Sequence, residues 1–468
     1  MKQALTLALR NLQRNRRRSV TTLLAIVVGV CAILLFGGFS KDITLGMQTD
    51  IVRHSGHLQV QRRGYFAYGV GNPTAYGIRD YAKVVDALRN DLVLRPMTLV
   101  VTPTLQLGGV AGNFDAGVSR TVYAEGTVPA DQTRMEAWND YGFPLDREAS
   151  PLQGTADDAA VIGEGLARVL QLCAPLHVKN CAMPQALLDD RKQREMNAAP
   201  ADVLALAAAE ASSATKAPAA ARIDMLATSV HGAPNVGGFT VVKAEQQGVK
   251  ELDDIYLALH LAGAQRLVYG ADEPRVTAIE VQLKHTGQLP AAQRRIEQLL
   301  AAQFPQQPME VLDFATLNPF YGQTNSMFDV IFGFVFVLIS AIVLFVITNT
   351  MSTVVVERTV EIGTLRAMGN RRSDIQRLFV CEGLLLGAFG TAAGVAVALL
   401  LAALINRSGL TWTPPARVDS IALTVRVWGE WRPIGLTFAT LACVAVLSAW
   451  WPARRAARLS IVDALRHV

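Results

Sequence analysis

Charge is scarce in this chain. Only 18% of its 468 residues are Asp, Glu, Lys or Arg, while 51% are hydrophobic. That balance is low in charge for a soluble protein of this length and points first to a membrane protein. Signatures of catalysis are missing as well: no G-x-x-x-x-G-K-[ST] phosphate loop, nucleophile elbow or zincin motif occurs. The seven histidines are scattered. "HSGH" (His54 to His57) holds two of them, but no carboxylate or third ligand stands at suitable spacing, so neither a catalytic residue nor a metal site is expected. The net charge of +5 is mild and gives no reason to expect nucleic acid as a partner. Cysteine is sparse. Cys31, Cys381 and Cys443 sit in apolar runs, and only Cys173 and Cys181 have polar surroundings.

What the chain does have is long apolar runs. Residues 19–40, 328–355, 379–405 and 433–451 are each long and apolar enough to cross about 30 Å of hydrocarbon as a helix. The first follows the basic "RNRRRS", as a signal peptide would. Its apolar core is long for that role, however, and "LLFGGFSKD" offers no small-x-small cleavage site, so a retained signal anchor is expected. Positive charge collects in three places: Lys2, Arg10, Arg14, Arg16, Arg17 and Arg18 within 1–18; Arg358, Arg366, Arg371, Arg372 and Arg377 within 356–378; and Arg454, Arg455, Arg458 and Arg466 within 452–468. The positive-inside rule puts all three segments in the cytoplasm, the first as an amphipathic N-terminal segment. The loop 406–432, which carries Arg407, Arg417, Arg426 and Arg432, then lies outside, as does the whole stretch 41–327. No span carries a mid-membrane Asp, Glu, Lys or Arg, which disfavours a proton-coupled carrier.

The stretch 41–327 reads as a mixed α/β domain inserted between the first and second of four transmembrane helices. Strands are expected at His57–Gln61, Arg120–Val128 and Thr277–Lys284, where apolar and polar residues alternate. Helices are expected at Tyr81–Leu92, Gly163–Leu172 and Pro290–Phe304. Between 183 and 235 alanine dominates, and large apolar residues thin out. This segment is read as an insertion outside the core, either a contact for cargo or partner or a surface elaboration. At its base, Cys173 and Cys181 can form a disulfide if this side of the membrane is oxidising; a metal pair with His177 and two free thiols are the alternatives.

The segment 356–378 is crowded with charge between two apolar spans. "ERTVEIGTLRAMG" suits a short helix, with Glu357 and Glu361 in its first turns, Arg366 near its end and Gly369 at the C′ position. Ile362, Leu365 and Met368 form one apolar stripe that calls for a partner surface. Ser373 and Gln376 have the spacing of a capping box for the next helix. Further on, Gly383, Gly387, Gly390, Gly394, Ala398 and Ala402 give a small-residue face for close helix packing, within one protomer or across a dimer.

The run Glu357–Gly387 resembles the signature of FtsX-like ABC transporter permeases, the MacB or LolC/LolE type, also called type VII. Leu7–Val30 and Pro452–Val468 are similar to the family's terminal segments, and Ala159–Leu172 and Glu251–Val268 to pieces of its periplasmic domain. The resemblance implies that 356–378 is a coupling helix seated on a cytoplasmic ABC ATPase, with Glu357, Arg358, Glu361, Gly363, Arg366, Gly369, Arg371 and Arg372 at the matching positions. It implies a second cytoplasmic contact, or a membrane-surface anchor, at Pro452, Arg454, Arg455 and Arg458. No cofactor is expected on this chain; ATP and Mg belong to the partner, so the chain is a transport subunit and not an enzyme. The expected setting is the bacterial inner membrane, with a second copy or sister permease and a periplasmic adaptor or lipoprotein cargo as further partners. The expected function is mechanotransmission for extraction or export of lipoprotein or other hydrophobic cargo, with an FtsX-like activator of a cell-wall hydrolase or a MacB-like efflux permease as alternatives.

Overall fold

A computed structural model describes residues 2–14, 16–69, 71–144, 149–179, 181, 221–413 and 420–458. In chain order the helices of six or more described residues are α1 (Lys2–Arg14), α2 (Arg16–Ser55), α3 (Tyr81–Asn90), α4 (Pro129–Glu136), α5 (Glu164–Val169), α6 (Leu261–Tyr269), α7 (Leu289–Gln303), α8 (Pro319–Glu357), α9 (Thr359–Ala367), α10 (Arg372–Arg407) and α11 (Trp431–Arg458). Strands β1 to β9 are Leu58–Arg62, Thr98–Asn113, Val118–Thr127, Ala159–Gly163, Arg222–Thr228, Pro234–Glu245, Tyr256–His260, Ala278–Leu283 and Met309–Asp313. The chain divides into two compact units. One is built on the long helices; the other is mainly Gln48–Pro319.

The long-helix unit holds α2, α8, α10 and α11, each long and apolar enough to cross a membrane. Chain passage through lipid demands that every backbone N–H be satisfied internally, which a helix achieves. These helices run past the spans marked by hydropathy. α2 begins at Arg16 and continues to Ser55, and α11 continues to Arg458, so Pro452 lies inside that helix and not after it. Packing follows the small residues. A Cβ placed on Gly387 would stand 2.5 Å from the Cβ of Ala445 on α11, and one on Gly394 would stand 2.6 Å from Val30 on α2. The small-residue face of α10 is therefore consumed within this chain, with Ala398 and Ala402 buried beside it. Leu386, Ile26, Val30, Val343, Ile347, Leu441 and Ala445 share the resulting core.

In the α/β unit nine strands form one mixed sheet. β2 is long enough to serve two neighbourhoods. Its first half pairs with β8 and leads on to β1 and β9; its second half pairs with both β3 and β5. Through β3–β7, β7–β4, β4–β6 and β6–β5 those pairings close a six-stranded ring, which leaves no free edge along it. Leu58 and Val60 of β1, with Ile279, Val281 and Leu283 of β8, point to one side and enter the hydrophobic core against α3 and α7. α3, α5 and α7 occupy the places expected for helices, and β1, β3 and β8 those expected for strands.

One expectation changes. Residues 222–235 are not insertion: Ile223 and Met225 of β5 are fully buried, and the strand pairs with β2 and β6. Its alternation, with Ile223, Met225 and Ala227 inward, is the period-two signal that the alanine-rich flank hid. The remainder of the expected insertion, up to 220, lies outside the described residues apart from its surroundings at Cys181. Cys173 and Cys181 are joined in a disulfide, with Cα atoms 6.1 Å apart. The polar side of β8 is covered. Glu280 and Gln282 are 2% and 0% exposed, because the end of α2 and α4 rest there: Gln282 Nε2 donates to the carbonyls of Val52 and Met135, each at 3.0 Å.

Candidate functional site

The charged stretch between α8 and α10 folds as a compact knuckle. α8 ends at Glu357, a single residue, Arg358, leaves the helical conformation, and α9 begins at Thr359. Glu361 lies in the first turn of α9, where it complements the helix dipole. At the far end Gly369 takes φ +97°, and the Asn370 N–H donates to the Leu365 carbonyl at 3.2 Å, which closes the helix in a Schellman-type turn. α10 then starts at Arg372. Its opening is held by Asp374, whose carboxylate accepts the Arg371 N–H at 3.1 Å, and not by the Ser373–Gln376 pair that the sequence suggested. An aspartate three residues beyond the N-cap makes the same reach-back bond as glutamine, one bond shorter.

The apolar stripe expected on α9 is divided. Ile362 is buried, and Leu365 packs beside it, in a small cluster with Val354 and Val355 of α8, Ile375 and Phe379 of α10, and Ala453 and Ala456 of α11. Met368 points the other way and is 70% exposed. The outward face of α9 runs instead through Val360, Thr364 and Met368, four residues apart, with Ala367 beside them and exposed Val356 at the end of α8 before them. This is an apolar strip with nothing of the described chain upon it, bordered by exposed Arg371 and Arg372.

Of the eight residues assigned to coupling, two are withdrawn into the fold. Gly363 is buried, and Arg358 is 7% exposed. Arg358 Nη1 pairs with Glu382 of α10 at 3.1 Å, and Asn11 Nδ2 of α1 donates to the same Glu382 oxygen at 2.5 Å. Arg358 Nη2 also reaches the Asn11 carbonyl at 3.5 Å. Glu357 and Glu361 are exposed but already paired, with Arg18 and Arg14 respectively. Gly369, Arg371 and Arg372 are exposed, and Arg366 is half-buried. At the end of α11, Pro452 is buried with Ala453, Ala456 and Ala457, so it cannot make an outward contact; Arg454, Arg455 and Arg458 are exposed. Arg454 lies over Trp450 and Arg455 over Trp451, at 5.4 and 5.0 Å from the ring centres, as basic and aromatic groups do at a membrane interface.

Sequence reasoning missed Asn11, Arg14, Arg18 and Glu382. One signal was available for the last: Glu382 is the single acidic residue in the apolar run 379–405, and such a residue in a span usually has a buried partner. The "HSGH" histidines serve structure. His57 is buried; its Nδ1 accepts the Leu283 N–H at 3.0 Å, its Nε2 lies 3.2 Å from the Thr286 hydroxyl, and burial lowers its pKa to about 4. Among the described residues no group of three or more His, Cys, Asp or Glu is placed to hold a metal ion.

Two known families match this arrangement. Residues 19–176 match the MacB-like periplasmic core domain, and residues 333–461 match the FtsX-like permease C-terminal family. An uncharacterized ABC transporter permease of Methanocaldococcus jannaschii is 30% identical over 236 residues, 49% of this chain and 55% of that protein. The macrolide export ATP-binding/permease protein MacB of Hyphomonas neptunium is 29% identical over 50% of this chain and 34% of its own length. The lipoprotein-releasing system transmembrane protein LolC of Neisseria meningitidis is 24% identical over 50% of this chain and 56% of its own. The chain thus spans between a third and a little over half of these relatives.

Proposed function

We propose that this chain, an FtsX-like ABC transporter permease with a MacB-like periplasmic core domain, takes its motion from a separate cytoplasmic ABC ATPase seated on α9. The observation that carries the reading is the exposed, largely apolar strip Val360–Thr364–Met368 along α9, continued by Val356 at the end of α8 and followed by exposed Arg371 and Arg372, while the other face of α9 is fixed to three long helices. An apolar centre with a charged rim is the usual composition of a specific protein contact. Force applied there passes through Ile362 and Leu365 to the ends of α8, α10 and α11. α2 and α8 flank the α/β unit in sequence, so displacement of their cytoplasmic ends is delivered to that unit. ATP and Mg act on the partner. Two permease copies, or a copy and a sister chain, in the bacterial inner membrane would bring their periplasmic units together and apart.

The cargo class that fits is a lipidated or otherwise hydrophobic molecule taken from the outer leaflet or periplasm, passed to a periplasmic adaptor or acceptor. The likeness to LolC supports this; the likeness to MacB supports macrolide-type efflux as a second reading. Purification from native membrane with ADP-vanadate, followed by mass spectrometry of what is retained, tests both. An ATPase retained by the wild type and lost from Val360→Asp, together with a bound lipoprotein, supports the first reading. A retained small hydrophobic molecule would favour the second. No ATPase on the wild type would overturn both.

A further inference from the structure

The Arg358–Glu382–Asn11 group lies apart from the outward strip and touches three separate elements. Arg358 is the hinge residue between α8 and α9, Glu382 sits in the third turn of α10, and Asn11 belongs to α1. The two charged side chains are 8% and 3% exposed. Placing an ion pair there is a poor route to stability. Desolvation consumes most of the Coulombic gain, and apolar replacements of like volume are often neutral or better. The pair is not even fully satisfied, since Arg358 Nε is buried without a hydrogen-bond partner. What the group does supply is direction: one carboxylate oxygen receives both the guanidinium and the Asn11 amide, which fixes the rotation of α9 and α1 against α10 together. The exposed pairs Arg14–Glu361, from α1 to α9, and Arg18–Glu357, from α2 to α8, do not reach α10 and are open to solvent and screened by salt.

We propose that Arg358, Glu382 and Asn11 form a joint that makes α1 and α9 move with α10 as one piece, with Glu382 as the positioning residue. The joint predicts that α1 and α9 loosen together when it is broken, and that nothing else does. Only its consequence for ATP-driven motion rests on the reading of α9 as an ATPase seat.

Hydrogen exchange of the full chain in nanodiscs tests the joint directly. In Glu382→Gln, exchange in residues 2–14 and 359–367 should rise at least about ten-fold, a change of roughly 1.4 kcal/mol, while α11 and the strands of the α/β unit keep their rates. Because Glu382→Gln leaves Arg358 buried without a counter-charge, a second form guards against simple misfolding. Asn11→Asp combined with Glu382→Gln moves the carboxylate across the same contact and keeps the charge balance, and it should restore both segments to near wild-type rates. Unchanged exchange in Glu382→Gln, loosening of one helix without the other, or equal loosening everywhere would overturn the joint. In a second arm, ATP-vanadate is added to the complex with its ATPase. There Glu382→Gln should keep the ATPase bound yet lose the nucleotide-dependent change in the α/β unit, and the paired variant should regain it. Failure of the wild type to hold an ATPase would refute the functional reading and leave the exchange result standing.

Discussion

Glu280 stands on β8 between Gln59 and Thr102 in register, and it is buried. Burial pushes its carboxyl well above the usual carboxylate range, and the nearby charge of Glu125 adds to this, against a hydrogen bond from Thr104. Burial likewise raises Glu125 to about 7, against the charge of His54 and a bond to Gln106. An acid raised in the folded state stabilises fully below its unfolded value of 4.5 and loses that contribution as pH rises through the folded value. Glu280→Gln mimics the protonated acid. It should therefore raise the unfolding temperature at pH 8 by about 2–4 °C, the shift expected for roughly 1 kcal/mol in a unit of this size, and leave it unchanged at pH 4. His57 works in the opposite direction: its contribution is full above 6.5 and lost as pH falls toward 4. Neither effect was legible in the sequence. "TAIEVQLK" gives the strand and its two faces, but the same alternation serves a face in water and a face roofed by helix ends.

At the scale of elements, the four long helices and the small-residue face could be read directly, because apolar length and glycine spacing are local signals. The neighbours of that face could not. Gly383 and Gly387 meet Ala449 and Ala445 of α11, whereas Gly390 and Gly394 meet Ile26 and Val30 of α2. Gly387→Leu should force α10 from α11 and lower stability by about 1–3 kcal/mol, as overpacking does, seen as a lower midpoint in a detergent thermal scan. A leucine at the lipid-exposed Leu400 position turned to alanine should do little by comparison. The short helix α9 was legible too, down to Gly369, but its outward face was not. Spacing by three picks out Ile362, Leu365 and Met368; the actual division of the helix depends on Phe379 and Ala453, which arrive from elsewhere in the chain. Likewise β5 was hidden by alanine-rich sequence on its amino-terminal side, although Ile223 and Met225 alternate plainly once the strand is isolated.

At the scale of the whole molecule, the two units are held together in different ways. The α/β unit buries its backbone in a ring of paired strands and is closed further by the Cys173–Cys181 disulfide. The long-helix unit concentrates its charged contacts at the basic end, where Arg14, Arg18, Arg358, Glu357, Glu361 and Glu382 meet. Such a cluster is costly, and so rare, in mid-span. At that end α9 presents an outward apolar face, and docking of a partner there is the central claim. Photo-crosslinking residues placed one at a time from Val356 to Met368, in cells, measure this most directly. Capture of an ABC ATPase is expected from Val356, Val360, Thr364 and Met368, with little from Ile362 or Gly363; capture of that ATPase from none of these positions, or equally from inward and outward ones, would refute docking on α9.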